Sequence, residues 1–252
     1  MNAQVGIVIQ ARMGSSRLPG KVLLPINGRP LLGHVVGRLS ELKAKASLIV
    51  ATSNLPADDV IVGWCEYSGV MAFRGGELDV LQRYLDCASH FDLSHVVRLT
   101  ADNPFTDIEE LDRLISLHLA NSNEYSHSFG QLPIGAGAEV FAREALEKSC
   151  KLGRGPHHRE HVNEYILENL DSFRVGVLEI PENKRAPTLR LTIDTPDEYE
   201  LACRIVKHFA ETGNRTWTPI EEVINFVCTL RGSLSLNRYG PLVSGIDPCG
   251  RT

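Results

Sequence analysis

Apolar residues in the first 120 positions come as short unbroken runs separated by stretches with helical spacing. Val5–Ile9 (VGIVI), Leu48–Ala51 (LIVA), Val70–Phe73 and His95–Leu99 (HVVRL) read as strands, the first two apolar throughout, as strands buried on both faces of a parallel sheet are. Leu31, Leu32, Val35, Val36, Leu39 and Leu42 form one stripe, which predicts a helix over about Pro30–Ala46 with proline in its first turn. A second helix follows Pro56, and Ile108–Ala120 is amphipathic and opens after Asp107, a good N-cap. This alternation calls for an α/β domain with parallel strands joined by right-handed crossovers, whose ligands sit outside the carboxyl ends of the strands.

The second half is less regular. Glu139–Phe141, Phe173–Ile180 and Leu189–Ile193 read as strands, and Ala142–Cys150 and His157–Leu170 as helices. Two more helices are expected, from Asp194-Thr195-Pro196 to about Ala210 and over Pro219–Leu230. From Gly232 the chain is rich in Gly, Ser and Pro with little periodicity, so one domain over 1–231 and a tail over 232–252 are expected.

The 252 residues are 43% hydrophobic with a formal charge of −5, which argues against bulk nucleic-acid binding. No apolar run reaches the roughly 20 residues of a membrane span, and Gln10 and Arg12 interrupt any signal-peptide pattern. The six cysteines stand at wide spacings without a C-x-x-C pair, as free thiols of a cytosolic protein do. The total conceals a segregation: residues 1–40 hold Arg12, Arg17, Lys21, Arg29 and Arg38 and no acid. Next to a glycine-containing loop, that stretch is either an anion site or a solvated surface.

The loop Ala11–Lys21 favours the anion site. Gly14, Ser15, Ser16 and Gly20 allow close backbone approach and offer N–H and hydroxyl donors, while Arg12, Arg17 and Lys21 place three cations within ten residues. Polyphosphate binding needs those parts. Val22 stands where a Walker A loop requires Ser or Thr, and no G-x-G-x-x-G follows the first strand, so the phosphate site is of another type. Asp102 and Asp194 each follow an apolar run and open a proline turn (ADNP, IDTP). Each reads as a helix cap or turn residue, or as half of a hard-cation site of the kind Mg²⁺ prefers, with few carboxylates and substrate phosphates. In HHREH, His157 and His161 are four apart and could share a helix face, but no third ligand is evident; a polar helix start is the plainer reading. No G-x-S-x-G elbow supports a hydrolase.

The segment VIQARMGSSRLPGKVLLPINGRPLL resembles the N-terminal signature of the sugar cytidylyltransferases, the acylneuraminate, Kdo and spore-coat-polysaccharide group. ATSNLPADD, RGGELDVLQRY, RLTADNPFTD, EVFAREALE, REHVNEYI and LTIDTPDEYE follow in the family's order, over roughly residues 5–210, with the spore-coat branch nearest. Met13 and Gly14 depart from the Kdo branch. The resemblance implies a single GT-A-like nucleotidyltransferase domain with a mainly parallel mixed sheet flanked by helices. It also implies Mg²⁺ dependence, a homodimer, and transfer of CMP from CTP to an acidic 2-keto sugar with release of pyrophosphate, for surface polysaccharide. Arg12, Ser15, Ser16, Arg17 and Lys21 would then meet the CTP phosphates, Arg74 and Thr100 the nucleoside, Asp102 and Asp194 the metal, and Arg159 with His161 the acceptor. The glycine-rich Gln131–Glu139 would line the acceptor pocket, with Glu139–Phe141 equally readable as core. Other readings are a nucleotidyltransferase for another NTP, a GT-A glycosyltransferase (disfavoured because proline breaks D-x-D at Asp102-Asn103-Pro104), and a non-catalytic nucleotide-binding protein.

Overall fold

The computed structural model describes residues 4–212 and 217–233. The expected tail therefore lies, from residue 234 on, outside the described residues.

The uninterrupted VGIVI run forms β1 (Val5–Gln10), an interior strand of a sheet. A short hairpin, β2 (Pro25–Ile26) with β3 (Arg29–Pro30), leads into α1 (Leu31–Arg38). Then follow β4 (Ser47–Ser53), α2 (Asp59–Ser68), β5 (Met71–Gly75), α3 (Val80–His90), β6 (His95–Thr100) and α4 (Ile108–Ala120). The strands β4, β1 and β6 are parallel neighbours and β5 pairs parallel to β4. Beyond β6 the sheet turns mixed. The strand β7 (Tyr125–His127) lies next to β8 (Glu139–Ala142), which runs antiparallel between β6 and β7. After α5 (Arg143–Leu152), α6 (Pro156–Glu160) and α7 (Glu164–Leu167), β9 (Val175–Val177) closes the edge parallel to β7. The helices α8 (Pro196–Thr212) and α9 (Ile220–Ser233) follow. The seven-stranded order is β5-β4-β1-β6-β8-β7-β9.

Strand alternation divides the core in two. Ile7, Ile9, Val50, Val97 and Leu99 face a layer containing α1, α2, α4, α8 and α9. Val8, Ile49, Ala51 and Val96 face α3, α5 and α7 through Leu81, Tyr84, Leu146 and Ile166. The chain leaves β1 towards β4 and β5 and then jumps back to β6, so its direction reverses between β1 and β6. A crevice opens at such a reversal, outside the carboxyl ends of the strands.

Several expectations are corrected. The Pro30–Ala46 helix ends at Arg38, passes through a 3₁₀ turn at Leu39–Glu41 and becomes extended at Leu42, so that Leu42, Ala44 and Ala46 pack against the core from outside the helix. His157–Leu170 is broken: α6 ends at Glu160, α7 spans only Glu164–Leu167, and a 3₁₀ turn covers Leu170–Ser172. Leu189–Ile193 is not a sheet strand. It makes one isolated bridge, Arg190 with Ile134. The Phe173–Ile180 strand shrinks to Val175–Val177, and α3 and β7 were not expected from the sequence. Cys65, Cys87, Cys150 and Cys203 are free, whereas Cys228 is disulfide-bonded, which wide spacing in sequence does not reveal. Among the described residues no helix is long and apolar enough to cross a membrane.

Candidate active site

The crevice is built on three segments. The first is the loop after β1. Gly20, in the left-handed region at φ 70°, lets its N–H return to the Met13 carbonyl at 3.0 Å, and Lys21 then opens a 3₁₀ turn whose Val22 is buried. Asp58, 2% exposed, ties the loop down: it accepts from the Met13 N–H at 2.7 Å and from the Ser53 N–H and hydroxyl. The second segment follows β6, where the Ala101 N–H continues the ladder to the Gln10 carbonyl. The third is the extended run ending at Asp194. The Ile193 N–H donates to the Asp102 carbonyl at 2.9 Å, which fixes Asp102 and Asp194 as neighbours although 92 residues separate them.

Lys21 lies at the junction. Its ammonium donates to Asp102 Oδ2 at 2.7 Å, to Asp194 Oδ1 at 2.9 Å and to the Ile193 carbonyl at 2.7 Å. All three of its donors are used. Arg17 reaches Asp194 Oδ1 at 3.2 Å, and Arg190 reaches Asp194 Oδ2 at 3.2 Å. Burial pushes the Asp194 carboxyl up, but the Lys21 ammonium, with Arg17 and Arg190, outweighs it and holds the group below its ordinary value. Thr100 donates its hydroxyl to Asp102 Oδ1, which orients that carboxylate. Beyond Asp194, Thr195 and Glu198 form a capping box: Glu198 Oε2 accepts from the Thr195 N–H at 3.0 Å, and Thr195 Oγ1 accepts from the Glu198 N–H at 3.4 Å. Glu198 also accepts from the Asp194 N–H at 2.7 Å and from Arg190, so the start of α8 holds the acid in place.

Two cavities meet here and share Thr100 and Asp102. One, of about 220 Å³, is lined by Gln10, Arg12, Ser15, Ser16, Arg17, Lys21 and Asp194. The other, of about 440 Å³, is lined by Asn103 and by residues of the 128–137 turn, with Pro187 and Thr192. Arg12, Ser15, Ser16, Arg17, Lys21, Thr100, Asp102 and Asp194 are thus brought together as sequence reasoning grouped them. Three others are not. Arg74 donates to the Ser53 and Leu55 carbonyls (2.9 and 2.8 Å) and pairs with Asp59, clamping the loop before α2, and it lines neither cavity. Arg159 donates to the Cys150 carbonyl at 2.8 Å and faces Asp79 at 3.5 Å, also outside both. His161 is exposed just past the end of α6 and shares no helix face with His157.

His157 and His158 both meet Glu168 instead, at 2.9 and 2.8 Å. His158 Nδ1 accepts from the Gly155 N–H at 3.1 Å, so its Nε2 carries the proton and donates to Glu168. That tautomer suits a capping contact and not a metal ligand. Glu139 belongs to the core, accepting from Tyr125 and Arg98. Asp58, Arg190 and Glu198 support the site without having been singled out in the sequence. The T-P-D-E spelling of a capping box was the one available signal, for Glu198.

The family model described as cytidylyltransferase matches residues 6–219. The spore coat polysaccharide biosynthesis protein SpsF of Bacillus subtilis is 36% identical over 225 residues, 87% of this chain and 92% of SpsF. A cytidylyltransferase structure from Leptospira borgpetersenii superposes with a TM-score of 0.85 at 32% identity, covering 96% of this chain and all of that one. A CMP-2-keto-3-deoxy-manno-octonic acid synthetase complexed with CTP shares the fold, with a TM-score of 0.65 at 18% identity, over 82% and 99% of the two chains.

Proposed function

Because the chain belongs to the cytidylyltransferase family, we propose that its crevice takes CTP in the cation-lined cavity and transfers CMP to an acceptor hydroxyl held in the neighbouring one, releasing pyrophosphate. The observation that carries this reading is the convergence of Arg12, Arg17, Ser15, Ser16, Lys21, Asp102 and Asp194 on one cavity at the sheet reversal. Arg12 and Arg17 meet the charge of the phosphates, and the serine hydroxyls and loop N–H groups orient them. Thr100 keeps Asp102 aimed at the boundary between the cavities, so that nucleotide and acceptor are held side by side and reaction is a matter of alignment.

Magnesium belongs to the same proposal. The donor set fits it: two partly exposed carboxylates bring hard oxygens to one point, both within 2.9 Å of a single ammonium, next to a cavity that suits phosphates. Asp102 and Asp194 would hold the ion, which when bound offsets phosphate charge and lowers the pKa of a nearby hydroxyl.

Two neighbours extend the reading. SpsF is named for spore coat polysaccharide, and the synthetase structure for a 2-keto sugar acid. An acidic 2-keto sugar for surface polysaccharide is therefore the acceptor the resemblance implies, with a cytoplasmic homodimer as its setting. The test is pyrophosphate release with each of the four NTPs and a panel of sugars, with and without Mg²⁺. Release with CTP alone is expected, and Asp102→Asn and Asp194→Asn should each lower turnover by about 10²-fold or more with unchanged far-UV circular dichroism. Wild-type rates in either variant refute the role given to that acid.

A further inference from the structure

The loop after β1, which lines the smaller cavity, is tied to a buried acid. Asp58 accepts from the Met13 N–H, the Ser53 N–H and the Ser53 hydroxyl and donates to none of them, as an ionised carboxylate does. It is 2% exposed, so salt and water screen it little. That negative charge holds the loop in shape, yet it opposes the phosphates that the loop is read as binding. Glu77 adds a second: its Oε1 would lie 3.9 Å from a Cβ at Gly14.

Arg83 of α3 is the buried cation on the same side. Its stem runs under the end of β5, where a Cβ at Gly75 would lie 2.7 Å from Arg83 Cγ. Gly75 is not among the glycines of positive φ, so room for the arginine, and not backbone conformation, calls for glycine there. Gly75 pairs with Ser53, the residue that bonds Asp58. The guanidinium thus lies behind the loop, within electrostatic reach of Arg12, Asp58 and Glu77. It is 1% exposed, and none of Nε, Nη1 and Nη2 has a hydrogen-bond partner among the described residues. Burial pushes its pKa down and Arg12 adds to the fall, against Tyr84, Asp58 and Glu77, but a guanidinium stays charged at neutral pH all the same. A charge out of water with unmet donors destabilises the fold, and a methionine of similar length would relieve it. What the charge does for the adjoining anion site explains its presence.

We propose that Arg83 is a nucleotide-binding determinant that acts without touching the ligand: its charge cancels that of Asp58 behind the loop and leaves the field of Arg12 and Arg17 to act on the phosphates. The inference rests on the reading that the smaller cavity holds CTP, and it adds to that site a residue outside the cavity lining. Because the effect is Coulombic it grows with the number of phosphates, and because Arg83 is buried it resists salt.

Calorimetric titration of the full chain with CTP, CDP, CMP and inorganic tripolyphosphate, at fixed Mg²⁺, tests the proposal apart from catalysis. Arg83→Met should weaken CTP and tripolyphosphate about tenfold, CDP less and CMP least. Its urea midpoint should equal or exceed the parent's. Arg83→Lys, which keeps a cation, should recover most of the lost affinity. The ratio of CTP affinities between parent and Arg83→Met should hold from about 0.05 to about 0.5 M KCl, whereas the ratio for Arg12→Gln, at an exposed cation, should shrink. An unchanged CTP affinity, or an equal loss for all three nucleotides, overturns the inference and leaves the nucleotide reading standing. A lowered midpoint assigns Arg83 to the fold and overturns it as well. Failure of the parent chain to bind any of the probes overturns both.

Discussion

Lys21 is the residue on which the crevice turns. Only 8% exposed, it joins three segments by donating to Asp102, Asp194 and the Ile193 carbonyl. Replacing it by methionine would leave two neighbouring carboxylates facing each other with Arg17 and Arg190 as remaining cations, both on Asp194. Lys21→Met is expected to lower the stability of the ligand-free protein by about 1–3 kcal/mol. Urea unfolding measures this, and an unchanged midpoint would mean the ammonium is not clamping the acids. The cations of the loop were legible in the sequence because they are close together. The placement of Lys21 between the acids was not, since it depends on a hydrogen bond from Ile193 to Asp102 that no local pattern encodes. For the same reason Arg74 and Arg159, read as substrate contacts, turn out to bind main-chain carbonyls. A third arginine is more unusual. Arg83, 1% exposed, has no hydrogen-bond partner for any guanidinium nitrogen, and burial pushes its pKa down.

Among the elements, α4 shows how a helix end can brace a cavity. Asp107 caps it by accepting from the Glu110 N–H at 3.2 Å, and the Asp107 N–H donates to the Ala136 carbonyl of the cavity-lining turn at 2.9 Å. Lys184 threads in from a 3₁₀ turn to meet Asp107 at 3.1 Å, Glu110 at 3.0 Å and Glu109 at 2.6 Å. Asp107, Glu110 and Lys184 are all nearly inaccessible, at 3%, 1% and 4%. Burial alone would lower the lysine's pKa, but the three carboxylates raise it, and it stays charged. Lys184→Met removes the ammonium shared by two buried acids, of which Glu110 keeps Arg113 and Asp107 keeps no ion pair among the described residues, and should cost about 3–5 kcal/mol, read from the shift in the denaturation midpoint. A loss under 1 kcal/mol would show that the acids relax into water. The boundaries of α4 were evident from its stripe and cap, whereas α3 was missed. Its polar residues are interspersed, and its buried face includes Arg83, which hydrophobic patterning counts as surface.

Across the whole molecule, the parallel half was readable because its strands announce themselves as apolar runs. In the mixed half β8 and α5 were readable as well, but β7 was missed and β9 overextended, because those two strands are three residues long and pair by topology. That half carries a pH signature. His118 of α4 is fully buried, 3.1 Å from His95 and 3.0 Å from Ser126, and burial first, then His95, pushes its pKa down to about 3. The unfolded chain takes up that proton near pH 6.5, the folded one only near 3. Stability is thus full above 6.5 and is lost as pH falls from there towards 3, with a limiting slope of about 1.4 kcal/mol per pH unit. His34, His95 and His127 are shifted in the same direction. His118→Gln should flatten the fall in melting temperature between pH 6.5 and 4 relative to the parent. An identical profile would place the acid sensitivity elsewhere.

The run from Leu189 to Ile193 is stitched on both sides, to Ile134 through the Leu189 carbonyl and the Leu191 N–H, and to Asp102 through the Ile193 N–H. A lineage drifting towards new acceptors cannot lengthen or re-thread that run without unseating Asp194, the acid to which the proposed function gives the metal. What stays open to variation is the decoration of the larger cavity's wall, at the exposed Phe129 and Ile134. Diversification is thereby channelled into side chains, and relatives with different acceptors should differ there while keeping the same backbone.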